Sequence, residues 1–215
     1  MSDHKLNKRD PRLMVLKDAI FENGADKDVT KGISPNFFKF NRNGIENVSI
    51  RFASKLSDDE VEWAFELVKG NMEDVYDASG YGWDDDDKKG ELTEDGARFL
   101  LLQNDTTGEL IGFVHFRFTV QGEIMDTMAG ELSLHLWDIH ILEEYQRKGL
   151  GKHILIILEL IARQQKMAVL SVPIQFMDNR SISWITSIRG FAPDVKLRDM
   201  LKFDPEMEVR IYKCT

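Results

Sequence analysis

A glycine-containing loop with basic neighbours, Gln146-Arg-Lys-Gly-Leu-Gly151, is the segment of this 215-residue chain whose residue types and spacing best fit chemistry on a ligand. It lies between a predicted strand and a continuous aliphatic stretch, residues 152–165, that predicts a helix. Glycines let the backbone approach an anion closely, and N–H groups at a helix N-terminus carry partial positive charge. Arg147, Lys148 and Lys152 add full positive charges. The loop therefore predicts a cradle that suits a pyrophosphate.

The elements that position this loop follow from hydrophobic periodicity and capping signals. The predicted strands are residues 48–52, 97–102, 110–118, 132–142, 167–172 and 208–213, the second and third forming a hairpin. The predicted helices are residues 10–23, a helix after the capping box Ser57-Asp-Asp-Glu60, residues 152–165, and residues 179–189 with Asn179 as cap. The acidic run Asp84 to Asp87 is expected to be a solvated loop, and residues 122–130 a further irregular loop. This order of elements indicates an α/β domain.

Composition excludes several classes of protein. The chain has a formal net charge of −9, so we do not expect it to bind nucleic acid through phosphate contacts, and a small or basic partner is favoured. A single cysteine, Cys214, excludes a disulfide framework and a cysteine-based zinc site, and we expect no metal. No apolar run reaches the length of a membrane span, and the charged start does not resemble a signal peptide, so no membrane association is expected.

The loop and its surroundings resemble the GNAT superfamily of N-acetyltransferases. Gln146, Gly149 and Gly151 match the signature Q/R-x-x-G-x-G/A, and Asn179 with Gly190-Phe191 matches the pattern downstream. The resemblance covers at least residues 48–213. It implies an α/β GNAT fold, with a mixed central sheet splayed at the acetyl-CoA site, flanking helices and an N-terminal helical extension. Residues 1–35 would form the N-terminal helix and strap, and residues 36–215 the acetyltransferase domain.

A closer resemblance is to the histone-directed N-terminal acetyltransferases of the NatD class. Its landmarks are Phe40-Asn-Arg-Asn-Gly-Ile45, Trp63-Ala-Phe-Glu-Leu67, Gly82-Trp83, His115-Phe-Arg-Phe118 and Arg147-Lys-Gly-Leu-Gly-Lys152. This class implies direct transfer of acetyl, in a ternary complex, from acetyl-CoA to the α-amine of proteins beginning Ser-Gly-Arg-Gly. The implied partners are the N-terminal tails of histone four and histone two-A. We expect a monomer and leave both cytoplasm and nucleus open as locations.

The resemblance also implies roles for single residues. Asp138 stands where NatD relatives carry a catalytic glutamate, and is expected to accept a proton or position the amine, with His140 as a second catalytic candidate. Thr186 stands where many relatives carry a tyrosine that protonates the leaving thiolate, so that group is unassigned. The residues expected to hold acetyl-CoA, many through the backbone, are Ile139, His140, Ile141, Gln146, Arg147, Lys148, Gly149, Leu150, Gly151, Lys152 and Asn179.

The expected substrate contacts lie on several segments. Tyr76, Tyr81, Trp83 and Trp137 are expected to wall a slot for a small N-terminal residue, and Ser171 to bond the peptide. Thr119 and Gln121 stand where NatD relatives carry the two acids that bind the substrate arginine. Glu123, Asp126 and Glu131 are candidates to replace those acids.

Two other functions fit the same residues. The acidic loops would suit a polyamine, a small amine or an internal lysine as acceptor. A catalytically inactive module that binds acyl-CoA would fit the short Asp138, the missing tyrosine and the changed arginine-binding acids.

Overall fold

The computed structural model describes residues 11–22, 25–80, 82–121, 131–175, 177–193 and 209–214. The helices in these ranges are α1 (Pro11–Ile20), α2 (Asp58–Ala78), α3 (Asp85–Thr93), α4 (Leu150–Gln164) and α5 (Asn179–Thr186). The strands are β1 (Phe21–Glu22), β2 (Ala25–Asp26), β3 (Lys39–Arg42), β4 (Ile45–Ala53), β5 (Arg98–Asn104), β6 (Leu110–Gln121), β7 (Glu131–Ile141), β8 (Val169–Gln175), β9 (Ala192–Pro193) and β10 (Val209–Cys214). No helix in these ranges is long and apolar enough to cross a membrane.

The main sheet has the strand order β3-β4-β5-β6-β7-β8-β10-β9. All neighbours are antiparallel except β7 and β8, which run parallel, so the predicted mixed sheet is confirmed. The parallel pairing joins only residues 133–135 of β7 to residues 169–171 of β8. Beyond it, residues 136–141 of β7 pair with β6 alone. The sheet therefore splays open along the second half of β7.

Alternating side chains fill two cores, one on each face of the sheet. On β5, Leu100 and Leu102 join the core beneath α4, while Phe99 and Leu101 join the core beneath α2 and α3. This alternation is the period-two geometry of a strand with both faces covered. The molecule thus has three layers, with the sheet between α4 on one side and the pair α2 and α3 on the other.

A β-bulge in β7 exchanges the faces to which its side chains point. His115 of β6 is opposite Asp138, whereas the next residue, Phe116, is opposite Leu136, so Trp137 is the extra residue. Before the bulge, Leu134 and Leu136 pack in the α4 core. After it, the odd-numbered residues Ile139 and Ile141 pack there. Because of this one inserted residue, Asp138 and His140 face the α2 and α3 layer instead of the apolar core.

The helix starts follow local capping chemistry. The predicted capping box is confirmed at α2: the Ser57 hydroxyl accepts from the Glu60 backbone N–H, and the Glu60 carboxylate accepts from that of Ser57. The four aspartates Asp84 to Asp87 are exposed, as expected, but they begin a helix and do not form a loop. Asp84 caps α3 by accepting from the Asp87 backbone N–H at 2.9 Å, and the next three aspartates form the first turn. Carboxylates stabilise that end of a helix because they offset the partial positive charge of its free N–H groups.

The segment before β3 packs onto the domain. Ala19 of α1 and Val29 are buried in the α4 core. The Asp26 carboxylate lies 3.0 Å from the buried guanidinium of Arg98 at the start of β5. Lys27 donates to the side chain of Gln165, at the end of α4, at 2.7 Å. The segment is therefore tied to the start of β5 and to the end of α4.

Candidate active site

The glycine loop is fixed between the end of β7 and the start of α4. The Gln146 amide donates to the carbonyl of Ile141 at 2.6 Å, and its oxygen accepts a hydrogen bond from Arg180 of α5. Asn43, in the turn between β3 and β4, donates to the carbonyl of Lys148 at 2.8 Å. These contacts hold the loop on three sides.

Glycine is favoured at two points of the loop for different reasons. Gly149 has a φ of 88°, a left-handed conformation that residues with a Cβ rarely adopt. A Cβ on Gly151 would lie 3.2 Å from the Trp184 indole of α5, closer than most Cβ contacts, so an alanine there would displace the indole by a few tenths of an ångström. Both glycines of the predicted signature therefore have a structural cause.

The first backbone N–H groups of α4 are available to a ligand. A helix leaves its first N–H groups without intrahelical acceptors, and the cap residue Gly149 has no side chain to satisfy them. Leu150 is buried, so it can offer a ligand only its backbone, while Arg147 and Lys152 are exposed beside it. This combination of N–H groups, glycines and cations fits the pyrophosphate of acetyl-CoA.

Asp138 is a buried carboxylate surrounded by donors. Its side chain is 7% exposed, and its Oδ1 lies 3.5 Å from Nζ of Lys88 and 3.6 Å from Nε2 of His140. Its Oδ2 lies 3.3 Å from Nδ1 of His115. Lys88, from α3, is itself buried, and its ammonium also contacts Glu91 at 2.6 Å. Three elements, α3, β6 and β7, therefore place a donor on this one carboxylate.

The charges in this cluster stabilise one another. Burial alone would raise the pKa of Asp138, but the ammonium of Lys88 and the donors on His115 and His140 hold it well below its usual range. Burial alone would lower the pKa of Lys88, but the carboxylates of Asp138 and Glu91 raise it above its ordinary value. Asp138 is therefore an anion, and Lys88 a cation, at neutral pH. A carboxylate this acidic is a weak base.

The two histidines beside Asp138 differ in their surroundings. Nε2 of His115 accepts from Nε of Arg117 at 3.2 Å, which leaves its Nδ1 as the donor toward Asp138. Burial lowers the pKa of His115, so this ring is neutral. His140 lies farther along β7 in the splayed half, and its Nδ1 is 3.3 Å from the amide nitrogen of Asn71 on α2. His140 therefore joins Asp138 to α2.

Three of the predicted aromatic residues surround the carboxylate cluster. Tyr76 meets Trp83 edge to face with ring centroids 5.5 Å apart, and the Lys88 ammonium lies 6.0 Å from the Tyr76 ring. Burial raises the pKa of the Tyr76 phenol, so it stays protonated. Trp137 lies beneath the Arg117 guanidinium at 4.8 Å. Tyr81 is outside the described residues.

Other predicted substrate residues lie apart from this cluster. Thr119 and Gln121 are opposite Ser133 and Glu131, at the far end of the strand pair from Asp138. Ser171 is fully buried, and its hydroxyl bonds Ser133 at 2.6 Å and His135 at 2.8 Å. Peptide binding by these three residues stays a prediction. Glu123 and Asp126 lie outside the described residues, and Glu131 is exposed on β7.

The structure corrects the predicted cap of helix α5. The predicted cap, Asn179, is the first helical residue, and the cap is Asp178, whose carboxylate accepts from the Ser181 backbone N–H at 2.9 Å. An aspartate and an asparagine are equally good caps, so the sequence alone did not separate them. The Asn179 side chain is consequently not needed as a cap. Thr186 bonds back to the carbonyl of Ile182 at 2.8 Å, within its own helix.

Sequence reasoning missed the groups that contact the catalytic candidates. In the sequence, His115 and Arg117 stand out only as landmarks of a family, and Lys88 does not stand out as part of a site. A lysine after four aspartates resembles an ordinary surface charge. Only the folding of α3 against β7 shows that its ammonium is buried. Within the described ranges, no group of three or more His, Cys, Asp or Glu side chains is placed to hold a metal ion.

The splayed sheet and the glycine loop at the start of α4 define an acetyltransferase fold, and comparison with known proteins identifies the family. Residues 60–191, more than half of the chain, match the model of the Acetyltransferase (GNAT) family. The chain therefore belongs to the GNAT family of acetyltransferases, which use acetyl-CoA as acetyl donor.

Solved structures share the fold at low sequence identity. A GNAT acetyltransferase from Staphylococcus aureus is 14% identical, with a TM-score of 0.54, over 77% of this chain and 98% of that one. The PaiA N-acetyltransferase from Thermoplasma acidophilum, solved in complex with coenzyme A, is 16% identical, with a TM-score of 0.50, over 78% of this chain and 99% of that one. Identities this low support the fold and do not identify an acceptor.

Proposed function

We propose that this acetyltransferase acetylates the N-terminal amine of proteins that begin Ser-Gly-Arg-Gly, namely histone four and histone two-A. The observation that carries the proposal is the anionic Asp138 beside His140 in the splayed half of β7, near the aromatic residues Tyr76, Trp83 and Trp137. A small N-terminal residue carrying a positive charge suits a site with this carboxylate and these rings. The NatD-like landmarks in the sequence support the same acceptor.

The residues that would hold acetyl-CoA belong to the splay and the loop. The backbone of Ile139 and Ile141 would face the pantetheine arm, the N–H groups of the glycine loop the pyrophosphate, and Asn179 the thiol end. When bound, acetyl-CoA supplies the acetyl group, so that a C–N bond forms as the C–S bond breaks, one proton leaves the amine and one joins the thiolate. Because the chain has one cysteine, next to its C-terminus, we propose direct transfer without an acetylated enzyme.

The proton chemistry is assigned to His140, with Asp138 as its anionic partner. An amine attacks only when it is neutral, so a base near pH 7 is needed. The pKa of the Asp138 carboxylate is held far below its usual range, so this group is a poor base near pH 7, and the neighbouring imidazole of His140 is the better candidate. Asp138 would orient the ring through Nε2 and stabilise its charged form, so the proton would be taken up at Nδ1, the nitrogen that faces the Asn71 amide. The role of first proton acceptor thereby moves from Asp138 to His140.

Charge distribution supports a basic substrate. Between residues 58 and 95 the chain has 15 acidic residues and 3 basic ones, a net charge of −12, compared with −9 for the whole chain. These residues form α2, α3 and their connections, the layer that faces Asp138. Such a field attracts cations over distances near the Debye length. We propose that this field attracts the arginine and lysine of the histone tail. We also propose that the enzyme is a monomer and acts in cytoplasm and nucleus.

The test is acetylation of a peptide beginning Ser-Gly-Arg-Gly-Lys by purified protein and acetyl-CoA. Fragmentation mass spectrometry would locate the added acetyl, and a copy blocked at its N-terminus is the control. We expect acetyl on the α-amine of the free peptide and none on the blocked one. Acetyl on a lysine of both peptides would make the protein a lysine acetyltransferase. Acetyl-CoA binding without product would favour a polyamine or small amine as acceptor, or an inactive binding module.

A further inference from the structure

Lys88 is the one residue with a permanent charge among the described groups in contact with Asp138. His115 is neutral and His140 carries a charge only when protonated. The Lys88 side chain is 5% exposed, and a lysine is almost never this buried unless it is paired. Its three neighbours are the carboxylates of Asp138 and Glu91 and the face of the Tyr76 ring. The surroundings of this lysine therefore match its charge.

The start of α3 fixes Lys88 in place. Asp84 caps the helix, and Asp85 accepts from the Trp83 indole N–H at 2.6 Å and from Lys69 of α2 at 2.9 Å. Leu92, one turn after Lys88, is buried in the core beneath α2. The helix is thus tied to α2 at its first turn and to the core at its last turn, which places the Lys88 ammonium against β7.

We propose that Lys88 is a positioning residue of the transfer reaction, which holds Asp138 as a fixed anion so that the proton of the acceptor amine is taken up at His140. Lys88 would not touch the substrate, since the carboxylates that it contacts enclose it. Its effect would pass through Asp138 Oδ1, which lies 3.5 Å from the lysine and 3.6 Å from His140 Nε2. The kinetic part of this inference rests on the proposed acetyl transfer, whereas the electrostatic part does not.

Among the described residues, each charged or titratable group facing Asp138 bears on its ionisation. These groups are Lys88 and Glu91 of α3, Tyr76 of α2, His115 and Arg117 of β6, and His140 of β7. Lys88 provides the strongest opposition to the cost of burying the carboxylate. Without it, Asp138 would be left to two imidazoles, and its protonation would fall within the pH range in which the enzyme can be assayed.

The kinetic experiment compares K88M with the wild type from pH 5 to 9. We expect kcat to fall about 10- to 100-fold, part of the roughly 100- to 10,000-fold that general acid–base catalysis contributes. We also expect a second ionisation in the acid limb of the kcat profile. The dissociation constant of acetyl-CoA, measured by calorimetry, should stay within about twofold, since Lys88 does not touch the loop.

Two further variants separate the charge from the packing. K88R retains the positive charge and is expected to keep the single ionisation of the wild type. The matched control is K89M, because Lys89 is the next residue, has a side chain that is 40% exposed, and pairs with Glu62 at 2.8 Å outside the cluster. K89M should behave as the wild type. Unchanged kcat and pH profile in K88M, or an equal loss at every pH with no new ionisation, would overturn the proposal.

An NMR measurement on the unliganded protein decides the electrostatic part even where the peptide is not a substrate or K88M does not fold. The carboxyl carbon of Asp138, assigned by comparison with D138N, should not titrate above about pH 4 in the wild type. In folded K88M its titration should move upward. A midpoint above pH 5 in the wild type would overturn the proposal. Failure of the peptide assay with the expected titration would instead count against the acceptor.

Discussion

Gly112 of β6 offers a test of how closely the strand pair at His140 is packed. A Cβ at this position would lie 2.7 Å from the carbonyl oxygen of His140 and 3.2 Å from Cα of Ile141. Backbone atoms cannot rotate away as a side-chain end can. To reach ordinary contact near 3.4 Å, β6 and β7 would have to separate by about 0.7 Å in the G112A variant.

This displacement has two measurable consequences. Overpacking of this kind costs about 1–3 kcal/mol, so the Tm should fall by about 2–12 °C for a chain of this size. The His140 side chain would shift together with the displaced backbone of β7. Because a 1 Å misplacement can cost 100-fold in rate, kcat should fall by about 10- to 100-fold. Differential scanning calorimetry and the peptide acetylation assay measure the two effects.

Gly70 provides the matched control, since it lies inside α2 and a Cβ there meets nothing within 4 Å. G70A should raise the free energy of unfolding by about 0.5–1 kcal/mol, because alanine is the better helix former, and should leave kcat unchanged. If G112A melts at the wild-type temperature and retains full activity, the close approach of β6 to His140 has no role in stability or catalysis.

Three further outcomes follow from the charges. The pKa of Asp138 is lowered in the folded protein, so its contribution to folding stability is complete above the unfolded pKa near 3.9 and is lost as pH falls below that value. In the D138N variant, urea titrations should show a smaller loss of stability below about pH 4, and kcat should be at least about 100-fold lower. The pKa of His135 is lowered by burial to about 4, so the folded state should lose up to about 3 kcal/mol as pH falls from 6.5 to 4, and H135Q should remove most of that slope; an unchanged slope would contradict this. Raising salt from 50 to 200 mM should lower kcat/KM for Ser-Gly-Arg-Gly-Lys but not for a peptide without arginine and lysine, and an equal effect on both would exclude steering by the acidic layer.

Local patterns predicted much of the fold. The hairpin of β5 and β6 has turn residues between two apolar runs, and the capping box of α2 is a pair of residues three apart, so both are visible in the sequence. The glycine loop was found because its function requires fixed residue types at fixed spacing. Each of these signals depends on a few neighbouring residues.

The parts that were missed depend on distant contacts or on a competition between local preferences. Four adjacent aspartates favour a solvated loop because their charges repel, but they also favour the start of a helix because they cap it. Burial of Leu92 in the core stabilises the helix α3. The role of Lys88 required β7 and α3 to meet, 50 residues apart in the sequence. The bulge at Trp137 depends on the pairing of β7 with β6 and has no signature within β7 alone.

The bulge makes the register of β7 matter as much as its composition. If β7 instead paired with β6 without the bulge, with Trp137 opposite His115, the strand would stay apolar and paired, but every later side chain would exchange faces. Asp138 and His140 would then enter the apolar core beneath α4, and Ile139 and Ile141 would point toward α2. Unpaired burial of a carboxylate there is far more costly than any single substitution on the strand. We therefore expect a shift of this register by one residue to be more damaging than a conservative substitution on the strand.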